Sequence, residues 1–134
     1  MVPQYNGIPG WILLSHNKEN QPECIFVDKN EKIERIPIIM DERIFSDTVL
    51  RVVRLSKDVF VAYDMCWLNG VHTWEKLSYA DRKKKMDELL NIFHAPDLSV
   101  LLPIEDAPYG TPLRGHEHYN DQPGTIGIFL PADE

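Results

Sequence analysis

A chain of 134 residues that is 43% apolar and 26% charged can bury one real core, and residues 1–134 are read as a single domain. A formal net charge of −7 excludes a broad nucleic-acid surface, which needs clustered Lys and Arg to neutralise phosphates. No run nears the roughly 18 consecutive apolar residues of a membrane helix.

The opening Met1-Val-Pro-Gln-Tyr-Asn6 is neither a charged nor an apolar leader, so secretion is not expected. Cys24 and Cys66 form no disulfide framework and no metal spacing, which fits a reduced cytoplasmic or nuclear setting. Ten prolines favour turns, sheet edges and short strands over a helical bundle.

In chain order, Gly10-Trp-Ile-Leu-Leu14, Cys24-Ile-Phe-Val27 and Lys32-Ile-Glu-Arg-Ile-Pro37 are rich in β-branched and aromatic residues. Asp28-Lys-Asn-Glu31 makes a hairpin of the last two. Thr48–Leu55 and Val59–Tyr63 flank Ser56-Lys-Asp58 and form a second tight hairpin. Their continuous apolar runs predict central strands covered on both faces.

One principal helix, at about 78–94, is predicted to start at Ser78, with Asp81 three residues on in the manner of a capping box. Met86, Leu89, Leu90 and Phe93 recur at helical spacing and should face the core, while Arg82, Lys83, Lys84 and Lys85 read as a solvated face. Leu98–Leu102 is a further buried strand, residues 105–124 a long loop, and Gly124–Pro131 a closing strand.

His116-Glu-His118 has two imidazoles two residues apart in that loop. The spacing suits a polar loop better than zinc, for which no third ligand lies nearby, and no metal site is expected. No phosphate-loop, nucleophile-elbow or H-E-x-x-H motif occurs. Cys66 with His72 offers a thiol–imidazole pair, yet its place in an apolar strand reads as core. Trp11, Trp67 and Trp74 either pack the core and its rim or present ring faces to a base.

Val59-Phe-Val-Ala-Tyr-Asp-Met-Cys-Trp-Leu-Asn-Gly70, followed by the basic helix from Ser78, resembles a known strand–turn–helix. ATP-dependent polynucleotide ligases and mRNA guanylyltransferases, the covalent nucleotidyltransferases, carry it after their active-site strand. Their nucleophile is the Lys of K-x-D-G-x-R, whose amine attacks the α-phosphate. Gln4-Tyr-Asn-Gly-Ile-Pro9 stands at that place, with Gln4 for the Lys, Asn6 for the Asp and Pro9 for the Arg; Gly7 alone remains. An amide nitrogen is no nucleophile, so Gln4 cannot form the phosphoramidate.

Cys24–Pro37 is similar to the hairpin that guanylyltransferases place next, and Asp47-Thr-Val-Leu50 to the entry of D-T-x-L-D-G-E-L. Arg51-Val52-Val53 replaces its acidic end. Ile126-Gly127 resembles the E-G pair of a later metal-binding motif, with Ile126 at the Glu position, and no closing K-x-K pair is found. Met65-Cys-Trp67 is also similar to a stretch in the snurportin cap-binding domain, a non-catalytic relative of the same fold.

The resemblance implies an α+β domain: a twisted, largely antiparallel sheet with one principal helix, like a truncated nucleotidyltransferase core. It implies no enzyme, because the nucleophilic Lys and the metal-binding acids are gone, and no cofactor. Tyr63 and Trp67 are the base-stacking candidates; Gln4, Asn6, Val53 and Ile126 mark the lost catalytic positions. The expected role is a binding or protein-interaction module in an RNA-processing or capping-related assembly. Its partner would be a protein, with a nucleotide or capped RNA as the lesser alternative. A further alternative is a fragment or subunit of an active enzyme that another chain completes.

Overall fold

Among the described residues the elements run β1 (Val2–Tyr5), β2 (Ile8–His16), β3 (Pro22–Asp28), β4 (Ile33–Arg35), β5 (Thr48–Ser56), β6 (Val59–Trp67), α1 (Thr73–Lys76), α2 (Tyr79–Asn91), β7 (Ser99–Leu101), β8 (Leu113–His118) and β9 (Ile128–Pro131). The computed structural model describes residues 2–5, 7–16, 18–19, 21–36, 47–91, 99–101, 113–119, 123–124 and 127–131. A six-stranded sheet has the order β4-β3-β2-β5-β6-β7, and a three-stranded sheet the order β1-β8-β9. All pairings are antiparallel except β6 with β7. The architecture is α+β with a largely antiparallel sheet, as composition and pattern predict.

Both expected hairpins form. At the β3–β4 turn, Asp28 Oδ1 accepts from the Asn30 and Lys32 N–H groups at 2.8 and 3.0 Å, the short-side-chain turn chemistry that makes Asp frequent there. β5 and β6 meet over Lys57-Asp58, and seven successive residues of β6, Val59–Met65, are buried. Beyond β6, Asn69 and Gly70 take φ values of 48° and 80°, both left-handed, and Leu68 and Val71 exchange two backbone hydrogen bonds of 2.9 Å. This is the tight turn that an Asn-Gly pair favours.

β5–β6 pairing is not uniform. Arg51 faces Asp64 while Val52 faces Ala62, which leaves Tyr63 as an extra residue; Leu50 faces Met65 while Val49 faces Trp67, which leaves Cys66 as another. Each bulge lets two consecutive side chains share one face. Tyr63 and Asp64 therefore both reach the side of the sheet that carries Arg51.

That sheet separates two apolar clusters. Ile12, Leu14, Phe26, Leu50, Phe60 and Met65 fill one face with Met86 and Leu89 of α2. Tyr5, Val53, Val61, Tyr63 and Tyr79 fill the other, under the three-stranded sheet. Helix α2 thus reaches both faces of β6, with Tyr79 on one and Met86 on the other. Its start is as predicted: Ser78 Oγ accepts the Asp81 N–H at 3.3 Å. Phe93 and the expected last turn at 92–94 lie outside the described residues.

Three readings of the sequence are corrected. Arg82 is not on the solvated face; it has no exposed surface, whereas Lys83, Lys84 and Lys85 are exposed. Residues 113–118 are a strand within the segment read as a loop, so His116-Glu-His118 lies in β8 with Glu117 buried. The short helix α1 and the three-stranded sheet as a whole were not foreseen. The closing strand is shorter than expected, with Gly124 in a turn and β9 starting at Ile128.

Candidate functional site: a charged joint between the sheets

Arg51 projects from β5 across to β8, where its two terminal nitrogens donate to Glu117 Oε1 and Oε2 at 3.1 and 2.7 Å. This fork-on-fork geometry is the strong form of the Arg–carboxylate pair. Tyr119 closes the group, donating its hydroxyl hydrogen to Glu117 Oε2 and accepting from Arg51 Nη2. The guanidinium also sits over the Tyr63 ring, 5.5 Å from its centroid. Burial opposes the Arg51 charge, but the hydrogen bonds and charge of Glu117, with Tyr119 and Asp64, outweigh it and hold the guanidinium above its usual range.

Asp64 is the second carboxylate, and it has its own arginine. Arg82 Nε donates to Oδ1 at 2.8 Å and Nη2 to Oδ2 at 3.2 Å, while Nη1 reaches the carbonyls of Leu77 and Trp74 at 2.8 and 3.3 Å. The Met65 N–H adds the carboxylate's third bond, to Oδ1 at 2.8 Å. A buried charge needs this kind of complete satisfaction. Arg82 thereby ties the α1–α2 connection to β6.

Arg51, Asp64, Cys66, Trp74, Glu117, Tyr119 and Gly127 line a cavity of about 230 Å³ between the two ion pairs. Tyr119 stacks flat on Tyr79, centroids 3.7 Å apart and planes 9° off parallel. Burial raises the phenols, Tyr79 to about 12 and Tyr119 further, although Arg51 opposes the rise at both. Burial first, and Asp64 second, push the Cys66 thiol up to about 11. Cys24, in the core, is pushed up to about 12 by burial. Thiols held protonated are poor nucleophiles.

A rate experiment checks this. With a thiol pKa of about 11 instead of 9.0, the thiolate fraction at pH 8 falls about 100-fold. Iodoacetamide should modify Cys66 in the folded chain slower than a free cysteine by about that factor. The rate should keep climbing tenfold per pH unit past pH 9, where free cysteine levels off. A Cys66 rate equal to that of free cysteine at pH 8 would contradict the assignment.

The base-stacking candidates fare differently. Tyr63 has no exposed surface, its hydroxyl accepts the Tyr5 N–H at 3.0 Å, and Arg51 covers its ring; it is corrected to a core residue with no face for a base. Trp67 is 37% exposed but stacks on His72, centroids 4.6 Å apart and planes 9° off parallel. His72 in turn lies 5.9 Å from Trp74 and holds Glu75 Oε2 at 3.1 Å from its Nδ1.

Of the positions matched to catalytic residues, Gln4 is in β1 opposite Gly115, and Val53 is buried in the second cluster. Asn6 and Ile126 lie outside the described residues. Gly7, the retained glycine, has a packing reason of its own. A Cβ there would meet the Arg54 carbonyl oxygen at 2.4 Å and Val53 Cγ1 at 2.8 Å. Trp11 is 42% exposed on β2, outside the buried clusters.

Glu117, Tyr119 and Arg82 were the residues that sequence reasoning missed. Arg82 had a signal: it falls at i, i+4 and i+7 with Met86 and Leu89, on the buried stripe, and it is the one Arg beside three Lys. Glu117 had none, because β8 shows no apolar alternation. Among the described residues no group of three or more His, Cys, Asp or Glu could hold a metal ion, and no helix is long and apolar enough to cross a membrane. A scan of protein-family models matches none to this chain, and a search of curated proteins finds no significant relative.

Proposed function

We propose that this chain is a non-catalytic module of covalent-nucleotidyltransferase ancestry, acting by binding in an RNA-processing or capping-related assembly of the cytoplasm or nucleus. The supporting observation is the Arg51–Glu117 pair. By the motif resemblance, Arg51 stands where the family has an acid, and its guanidinium is committed to a partner across the sheet joint. Asp64 is committed to Arg82 in the same way. With both carboxylates engaged, Gln4 at the nucleophile position and the nearby thiol and phenols held protonated, the site is built for cohesion and for presenting a surface. Phosphoryl chemistry would need charge free to act on a phosphate or metal.

The cavity beside Trp74 and Tyr119 favours a second reading, a small-ligand site. At about 230 Å³ it falls below the roughly 300–1,000 Å³ of typical ligand pockets, which weighs against a whole nucleotide.

Incubation with α-labelled GTP or ATP and a divalent cation is expected to leave no acid-labile label on any lysine. A labelled band would overturn the non-catalytic reading. Tryptophan fluorescence titrated with GTP, ATP and a methylated cap analogue is expected to show no saturable change up to millimolar ligand; a saturable change would favour the second reading.

A further inference from the structure

No described element covers part of one face of the six-stranded sheet. Directly paired residues in antiparallel strands share a face, and the register Ile25–Leu13–Val49–Trp67 therefore lays four apolar side chains in a row across β3, β2, β5 and β6. Beside it, Ile33, Val27 and Trp11 form a second row across β4, β3 and β2. Tyr63, Val53 and Val61 on this side are covered in the second cluster, but Trp11, Trp67 and Ile33 are 42%, 37% and 69% exposed, with Leu13, Ile25, Val27 and Val49 half-buried between them. Contiguous exposed apolar surface of this kind marks interaction sites.

Its dimensions choose the occupant. From Ile33 on β4 to Trp67 on β6, five strands spaced about 4.8 Å apart make a strip roughly 19 Å long, about 10 Å wide where the two rows overlap on β3 and β2. That is the length of about 13 helical residues and the breadth of one helix. It is far short of the roughly 800 Å² per partner of a standard protein interface, so a second copy of this sheet is a poor fit.

Charge chooses the partner's character. Arg51 beside the strip is bound to Glu117, and Arg35 at its β4 end to Glu23. Asp47 is exposed beside Trp67, lines the hollow formed with Leu13, Val49 and Trp67, and has no side-chain partner among the described residues. The chain as a whole carries −7.

We infer that this strip docks an amphipathic α-helix of three to four turns from another protein, with a basic residue at the end that meets Asp47. The assignment deepens the interaction-module reading and rests on it. The helix would set apolar side chains at i, i+3/i+4, i+7 and i+11 between the two rows, the mode by which grooves take helices.

The test uses the full chain and two capped 14-residue peptides with that leucine spacing, one with lysine and one with glutamate at the polar positions, at 0.15 M salt. In ¹⁵N-resolved spectra the Leu/Lys peptide is expected to shift the Trp11 and Trp67 indole N–H signals saturably and to bind at least tenfold tighter than the Leu/Glu peptide. Asp47→Asn should cut that preference at least threefold. Asn tolerates the left-handed backbone of Asp47, φ 52°, so the fold is kept. Shifts confined to other residues, equal affinity for both peptides, an unchanged preference in Asp47→Asn, or a dimer in sedimentation that removes both indoles from solvent would each overturn the assignment. Nucleotide labelling separates the two proposals. A lysine adduct sinks the module reading whatever the peptides do; no adduct and no peptide binding sinks the helix dock alone.

Discussion

Arg82→Ala is expected to cost about 3–5 kcal/mol of folding stability, because it strands Asp64 as a buried, unpaired carboxylate. Against the roughly 5–15 kcal/mol that holds an ordinary domain together, this is a third of the stability at the upper end and most of it at the lower. Three facts make the loss large. Arg82 has no exposed surface and the Asp64 side chain is 6% exposed. The same guanidinium satisfies the Leu77 and Trp74 carbonyls, so its removal also orphans backbone acceptors between the two helices. Urea unfolding followed by tryptophan fluorescence measures the effect. Leu at both positions should restore part of the loss, since two apolar side chains leave no charge to desolvate. The carbonyls keep that recovery incomplete. A double variant as damaged as the single one would show that the pair's charge is not what matters.

Arg51→Ala should have a smaller global effect, about 2–3 kcal/mol, because its side chain is 31% exposed and water screens the pair in part. Its regional effect should be larger. Arg51 and Glu117 connect the two sheets at one point, supported by the Tyr5–Tyr63 hydrogen bond and the Tyr79–Tyr119 stack. Without the guanidinium, Glu117 and Tyr119 lose their charged partner, and the three-stranded sheet should open ahead of the rest. Hydrogen exchange of the full chain is the measurement. Amides of β1, β8 and β9 are expected to exchange at least tenfold faster, while those of β2, β3 and β5 change little. Uniform acceleration across both sheets would mean that they unfold as one unit. The exchanged pair, Arg51→Glu with Glu117→Arg, should recover part of the protection.

The sequence made the six-stranded sheet legible wherever local chemistry acts alone. The β-branched and aromatic run at Gly10–Leu14, the Asp28 turn and the Asn69–Gly70 turn each follow from a few adjacent residues. What stayed hidden depends on distant partners. Glu117 is polar and sits between two histidines, so nothing in Leu113–His118 signals a strand; it is one by pairing with β1 from the other end of the chain and with β9, and Arg51 then satisfies its buried carboxylate. Tyr63 looked available to a base because aromatic residues stack, whereas it alternates with Ala62 onto the face that Arg51 and Tyr5 cover. Arg82 was read by its charge, although its helical spacing put it on the apolar stripe. The ancestry argued from Gly7 also weakens at close range, since the collision of a side chain with Arg54 is reason enough for a glycine there.

The bulges at Tyr63 and Cys66 have a consequence for how this segment can change over time. A plain strand alternates strictly, so deleting one residue moves every following side chain to the opposite face. Here Tyr63 and Cys66 each reset that parity, and Asp64 meets Arg82 only because the first reset has occurred. Loss of either extra residue would remove its bulge and keep the downstream side chains on their present faces, with Asp64 still opposite Arg51, whereas a straightened strand that kept Tyr63 would aim the Asp64 carboxylate into the apolar interior. Between Val59 and Trp67 the chain should therefore absorb the loss of one residue at either bulge, where a plain strand would absorb none. A distant relative one residue shorter in this stretch should keep the same faces by losing a bulge.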